Sequence, residues 1–302
     1  MSMHFLRPLI ENIVLLFIII VSAFFLFTAL PADPVRSMLG VNVSEEVVRS
    51  LRSEFGLDQP LWVQFKVYLS RLLSLDLGTS FVTRRPVSAD VFPSLGASFI
   101  YAGFALLIAL AYSILSTFIS WMSRPVIARS LQAVHATLVS IPGLIIAVAI
   151  GIVFFHFDIF GFIDDIRTRQ IVTAAIVLSV YPSAVLSQIL SQQFREVAKQ
   201  PFTLSSRSFG FSRTQLFRIV FKSSYLPWLA QLSNIAAALL AGSIVVEFVF
   251  SLPGLGRLVQ QSVIRSDYPM LQGIVLATSI SYILFNLFME TLYHYLKIGR
   301  RS

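Results

Sequence analysis

The chain contains no cysteine. That removes disulfides, thiolate metal sites and a cysteine nucleophile. Charge is also scarce, at 13% of residues, about half the share of an ordinary soluble domain. No glycine-rich phosphate loop with its Lys and Ser/Thr follows a strand anywhere, so the chain is not expected to bind ATP by itself. The four histidines, His4, His135, His156 and His294, show no i, i+4 pairing, which argues against a metal site. No Ser/His/Asp spacing and no pair of aspartates within an apolar run points to an enzyme. Internal repeats and low-complexity tracts are missing as well.

What remains is apolar: 56% of the residues are hydrophobic. A helix needs about 20 mostly apolar residues to cross a bilayer core. Six stretches qualify, Leu9–Leu30, Leu95–Ser120, Val134–His156, Ile171–Leu190, Trp228–Phe250 and Met270–Leu296. The first is too long for the apolar region of a secretory signal and is expected to be a retained span. Pro142 and Pro182 fall inside the third and fourth, where neighbouring helices can re-satisfy the freed carbonyls. The expected fold is an all-α polytopic membrane protein with six transmembrane helices.

The net charge of +8 could suggest nucleic acid, but in such a chain clustered Lys and Arg set topology. With the N-terminus inside, the inner segments carry Arg7, Arg124, Arg129, Arg195, Lys199, Arg207, Arg213, Arg218, Lys222, Lys297, Arg300 and Arg301, against Glu196 as the one clear acid. Both termini are therefore expected in the cytoplasm. The organisation reads as an N-terminal span (1–30), an external segment (31–94) and a five-span core (95–302). Within the external segment, Val47, Val48, Leu51 and Phe55 recur at helical spacing after Ser44, a possible N-cap. Leu61, Phe65, Tyr68, Leu69 and Leu72 repeat the pattern. Two short amphipathic helices on the outer face follow, with Trp62 and Tyr68 suited to the interface. Asp158, Asp164 and Asp165 cluster near His156; a solvated loop is the favoured reading over a cation-attracting mouth.

The inner stretch 192–227 has room for two short helices around Gly210, one capped by Thr203, Ser205 or Ser206 and the next by Ser212. Glycine permits the sharp break, and Phe209 and Phe211 would project from it. Exposed aromatics beside Arg207 suit a docking surface; both rings could equally dip into lipid headgroups.

Residues Leu239–Tyr293 decide between these. They hold Glu247 in an apolar span, then Phe250, Pro253, Gly254, Leu255 and Gly256, then Asp267, Tyr268 and Pro269, and a last span with Asn286 and Glu290. This order closely resembles the permease subunits of ABC importers of the dipeptide/oligopeptide/nickel family. Phe55–Val87 is similar to that family's outer segment, so the resemblance covers nearly the whole chain.

The resemblance implies a type I importer permease fold in the bacterial inner membrane. It implies a second homologous permease, two cytoplasmic ATPase subunits carrying ATP and Mg, and an extracytoplasmic binding protein, with no nucleic acid and no cofactor on this chain. Ser205, Ser206, Arg207, Phe209, Gly210 and Phe211 would then form the ATPase-coupling loop of an alternating-access transporter. Where the family has small alanines and a basic residue before the glycine, this chain has Ser205, Ser206 and Phe209. Glu247, Pro253, Gly254, Gly256, Asp267 and Tyr268 would belong to the outer gate or the binding-protein side. Asn286 and Glu290 would be intramembrane polar residues, for which helix–helix contact one turn apart is the favoured role. Cargo would be peptides, including antimicrobial peptides, or nickel and metal chelates. The competing reading is an ATPase-independent channel or an intramembrane enzyme.

Overall fold

The computed structural model describes residues 2–29, 33–39 and 43–298. Leu30, Pro31, Arg300 and Arg301 lie outside the described residues, as does the side chain of Arg7. The described residues form thirteen helices and no sheet: α1 (Ser2–Thr28), α2 (Pro34–Leu39), α3 (Glu45–Glu54), α4 (Leu61–Leu73), α5 (Val87–Met122), α6 (Pro125–Ser140), α7 (Gly143–His156), α8 (Ile166–Ala198), α9 (Pro201–Ser208), α10 (Arg213–Ala230), α11 (Leu232–Val249), α12 (Leu255–Ile264) and α13 (Tyr268–Ile298). The chain is all-α, as expected. Five of these helices are long and apolar enough to cross a membrane, and α6 with α7 makes a sixth candidate.

That sixth candidate departs from the expected straight span over Val134–His156. α6 and α7 meet at an angle of 107°. Proline supplies no N–H for the helix ladder and pushes its predecessor out of the helical region. Ile141, just before Pro142, is extended at φ −86°, ψ 129°. Pro182 faces the same chemistry, yet α8 runs through it unbroken for 33 residues. Its middle is buried on neighbours: Ala184, Leu186 and Leu190 are fully enclosed, and α6, α10 and α11 pack on it. The expected fifth span also starts later than Trp228, because Trp228–Ala230 complete α10 and the chain turns at Gln231.

The chain divides into two compact units, the first comprising 1–98 and 253–283, the second 99–252 and 284–302. In the first, both expected amphipathic helices form as α3 and α4. α3 buries Val48 and leaves Val47 exposed. Ser44 stands at its N-cap with extended backbone but makes no side-chain cap bond. α4 lays Phe65 and Tyr68 against Phe24 of α1, with ring centroids 5.2 and 5.4 Å away. The Tyr68 hydroxyl is buried without a hydrogen-bond partner among the described residues, and burial pushes its pKa up to about 12. Trp62 stays exposed, with the Lys66 ammonium 4.8 Å from its ring centre.

Charge pairs brace the same segment. Arg52 donates to Asp33 at 2.6 Å, Arg84 to Glu54 at 2.7 Å, and Arg36 pairs with Glu45. Burial alone would raise the Asp33 carboxyl, but Arg52 and the N–H groups of Val35 and Arg36 hold it below its ordinary value. Such exposed pairs contribute about 0–1 kcal/mol each. Packing sets tighter limits. On α13, Gly273 sits so close to α5 that a Cβ there would collide with the side chain of Val87. Val is stiff at χ1 and cannot swing aside.

Gly273→Ala is therefore expected to cost about 1–3 kcal/mol through overpacking, read as a lower unfolding midpoint of the purified protein. Adding Val87→Ala should restore most of the loss. An unchanged midpoint in the single variant would show that the two helices do not meet this closely.

Candidate functional site

The segment between α8 and α10 is the most exposed apolar surface among the sequence-predicted site residues. Gln200 stands at the N-cap of α9 and Pro201 at its first position, where the missing N–H costs nothing. The helix thus begins earlier than the serines suggested, and the expected caps are wrong. Ser205 Oγ donates back to the Pro201 carbonyl at 2.9 Å, and Ser206 Oγ to the Phe202 carbonyl at 2.8 Å. Thr203 Oγ1 donates to the Val197 carbonyl at 3.0 Å and fastens α9 to the end of α8. Ser212 does cap α10: its Oγ accepts from the Gln215 N–H, and its own N–H donates to Gln215 Oε1 at 2.8 Å.

Gly210 lies between the two helices at φ +82°. A Cβ there would meet nothing within 4 Å, so glycine is needed for the left-handed turn and not for space. Phe209 is 81% exposed and Phe211 43%. Arg207 and Ser205 are exposed and Ser206 is half-buried. The structure thus brings together all six residues of this candidate set on one short helix and its turn.

The other candidates are buried or dispersed. In the first unit, Asp267 is enclosed. One carboxylate oxygen accepts from Ser80 Oγ and the other from the Phe81 N–H at 3.1 Å. Tyr268 stacks on Phe27 at 6.4 Å. Gly254 has an extended backbone, and the next residue, Leu255, opens α12 with its N–H donating to Ser98 Oγ at 3.0 Å. Gly256 is buried and Pro253 exposed. Ser80, Phe81 and Ser98 escaped the sequence reading because their partners are remote in the chain.

In the second unit, Glu247 is fully buried in α11 and interacts electrostatically with Tyr101. The chain leaves α11 through Ser251, at φ +53°, and the Leu252 N–H returns to the Glu247 carbonyl at 2.9 Å. Asn286 and Glu290 lie one turn apart in the second half of α13, and each is half-buried. No hydrogen bond between them occurs among the described residues.

The acidic cluster also acquires local duties. Asp165 caps α8 by accepting from the Thr168 N–H at 2.8 Å, and the Thr168 hydrogen bonds lower its pKa. Asp158 pairs with Arg169 at 3.4 Å. Arg169 also donates to the carbonyls of Gly161 and Ile163, both at 3.1 Å, and so shapes the loop after α7.

Two cavities of this unit border α8 and α11. One, of about 420 Å³, is lined by Leu144, Val177, Tyr181, Ala238, Ala241 and Gly242, among others. The second, of about 800 Å³, lies by His156, Arg169, Thr173, Phe250 and Ser251. Both fall in the size range of small-molecule sites. Small residues make this room: Gly242 lies against Leu178, and Gly151 against the Phe250 ring. Among the described residues no group of three or more His, Asp or Glu is placed to hold a metal ion.

The sequence matches the family described as "Binding-protein-dependent transport system inner membrane component" over residues 113–301. The N-terminal region of such membrane components matches residues 1–107. Among similar proteins, the glutathione transport system permease protein GsiC of Salmonella typhimurium (strain LT2) is 32% identical over 302 residues, with 96% of each chain covered. Its namesake in Escherichia coli (strain K12) is 30% identical over 301 residues, again with 96% of each chain covered. The chain belongs to the binding-protein-dependent transport inner-membrane components, as a permease subunit of an ABC importer.

Proposed function

We propose that this permease takes up short peptides of the glutathione kind, and that α9 with the Phe209–Gly210–Phe211 bend is the surface on which an ATPase subunit docks. The observation that carries the docking reading is the exposure of both phenylalanines on a glycine-forced turn, flanked by Arg207. Aromatics and arginine anchor interfaces, where burying them excludes water. A second, homologous permease completes the pathway, two ATPases supply energy from ATP and Mg, and an extracytoplasmic binding protein delivers cargo.

The cargo reading is supported by the name shared by the relatives in Salmonella and Escherichia and by the two ligand-sized cavities. Nickel or another metal chelate is the competing cargo. The orientation rests on charge. Arg195, Lys199, Arg207, Arg213, Arg218 and Lys222 crowd the segment around α9, and short basic loops stay cytoplasmic. Both termini then also face the cytoplasm.

Three outcomes are expected. Phe209→Asp with Phe211→Asp should weaken ATPase association by about 2 kcal/mol or more, roughly a thirtyfold loss, seen as lost co-purification with the spans still folded. Normal assembly would sink the docking assignment. Because the chain has no cysteine, a single introduced one is the sole thiol. Ser205→Cys should react with an impermeant maleimide only after the membrane is opened, and Trp62→Cys in intact cells. The reverse pattern would invert the topology. In proteoliposomes holding the complete importer, ATP-dependent uptake of labelled glutathione is expected. Uptake of nickel chelates alone would replace the peptide reading.

A further inference from the structure

Beside α9, the far end of α5 and the start of α10 are joined in both directions. Trp121 Nε1–H donates to the Arg213 carbonyl at 3.0 Å. Arg213 Nη1–H donates to the Met122 carbonyl at 3.3 Å. Met122 is the last residue of α5 and Arg213 the first of α10. The carbonyl of Met122 has no partner within its own helix, and a cation is favoured at a helix C-terminus. The two bonds thus join an orphan acceptor and a charged donor across two helix ends.

An aromatic cluster continues this contact inward. The Trp121 ring meets Phe194 of α8 edge-on at 5.5 Å. Phe194 lies 4.8 Å from Phe217 of α10, and Phe118 of α5 meets Phe217 at 5.0 Å. One turn deeper, the hydroxyls of Thr117 on α5 and Ser191 on α8 are 3.2 Å apart, both buried. Ring contacts of this edge-on and tilted kind resist separation but slide and rotate at small cost. Paired hydrogen bonds with opposed directions fix register and rotation, because either motion lengthens at least one of them.

Chain connectivity makes this contact informative. α9 is covalently continuous with α8 and α10, whereas α5 is remote from it in sequence and meets α10 here through the side chains of Trp121 and Arg213. We infer that Trp121 and Arg213 are positioning residues that carry movement of α9 into α5, so that the second span shifts together with the fourth and fifth. This rests on the reading of α9 as the ATPase-docking helix. It is separate from docking itself, because neither side chain lies on α9.

The test uses the complete importer in liposomes, with Trp121→Phe, Arg213→Ala, both together, and Arg213→Lys. Trp121→Phe keeps a ring and loses the donor; Arg213→Lys keeps a donor toward Met122. Three quantities are read: co-purified ATPase, unfolding temperature, and ATP hydrolysed per substrate molecule transported. Expected are normal co-purification, an unfolding temperature close to that of the parent, and a ratio raised severalfold in each single variant and at least tenfold in the double. Arg213→Lys should return the ratio close to normal. An unchanged ratio in the double variant overturns the inference, including when the unfolding temperature and the transport rate fall together. Loss of ATPase binding in Trp121→Phe also overturns it, since the pair would then be part of docking. If the Phe209/Phe211 aspartate variant still binds ATPase normally, the reading of α9 fails first, whatever the ratio shows.

Discussion

In the core of a bilayer no water takes up an unpaired peptide group, so each N–H and C=O must be satisfied by the protein. This constraint governs the membrane-spanning helices. It explains why the described residues are almost entirely helical, and why irregular backbone is confined to short joints. It also explains why the prolines decide the architecture. Pro182 is carried inside α8 because α6, α10 and α11 cover that helix. Pro142 instead ends α6, and Gly143 begins a new helix at a steep angle.

The same rule accounts for the buried hydroxyls. Many serines and threonines return a bond to a carbonyl one turn back, as the buried Ser179, Ser224 and Ser243 do. A few are freed for longer reach. Ser80 serves Asp267 and the N–H groups of Val82 and Thr83. Ser98 accepts the first free N–H of α12. Leaving such groups unpaired in a buried setting costs about 1–3 kcal/mol each, which makes them a source of fixed geometry in a chain with few charges.

Much of this was legible in the residues. Apolar length revealed the spans, and helical spacing revealed α3 and α4. Gly210 between two polar-capped segments announced the turn on which Phe209 and Phe211 stand. What could not be read depends on neighbours. Pro142 is followed by Gly143, a break signal that the span reading passed over, whereas Pro182 is followed by Ser183 and is held by the packing around α8. Ser205 and Ser206 carry good cap chemistry, but Pro201 and Gln200 open the helix first. Asp267 reads as part of the outer gate or the binding-protein side; that it is enclosed by Ser80 and Phe81 could not be read because they are far away in the sequence. Arg213 was, for the same reason, only one positive charge among many, and Trp121 carried no reading at all.

The bend at Pro142 has one more consequence. α7 alone has 14 residues, or about 21 Å of helix, against roughly 30 Å of hydrocarbon. A segment this short is matched by a thinner bilayer and strained by a thicker one, at a cost of fractions of a kcal/mol per Å. Wherever α7 enters the bilayer, the acyl-chain length of the host lipid therefore acts on it more than on the long helices α5, α8 and α13, which can tilt to fit.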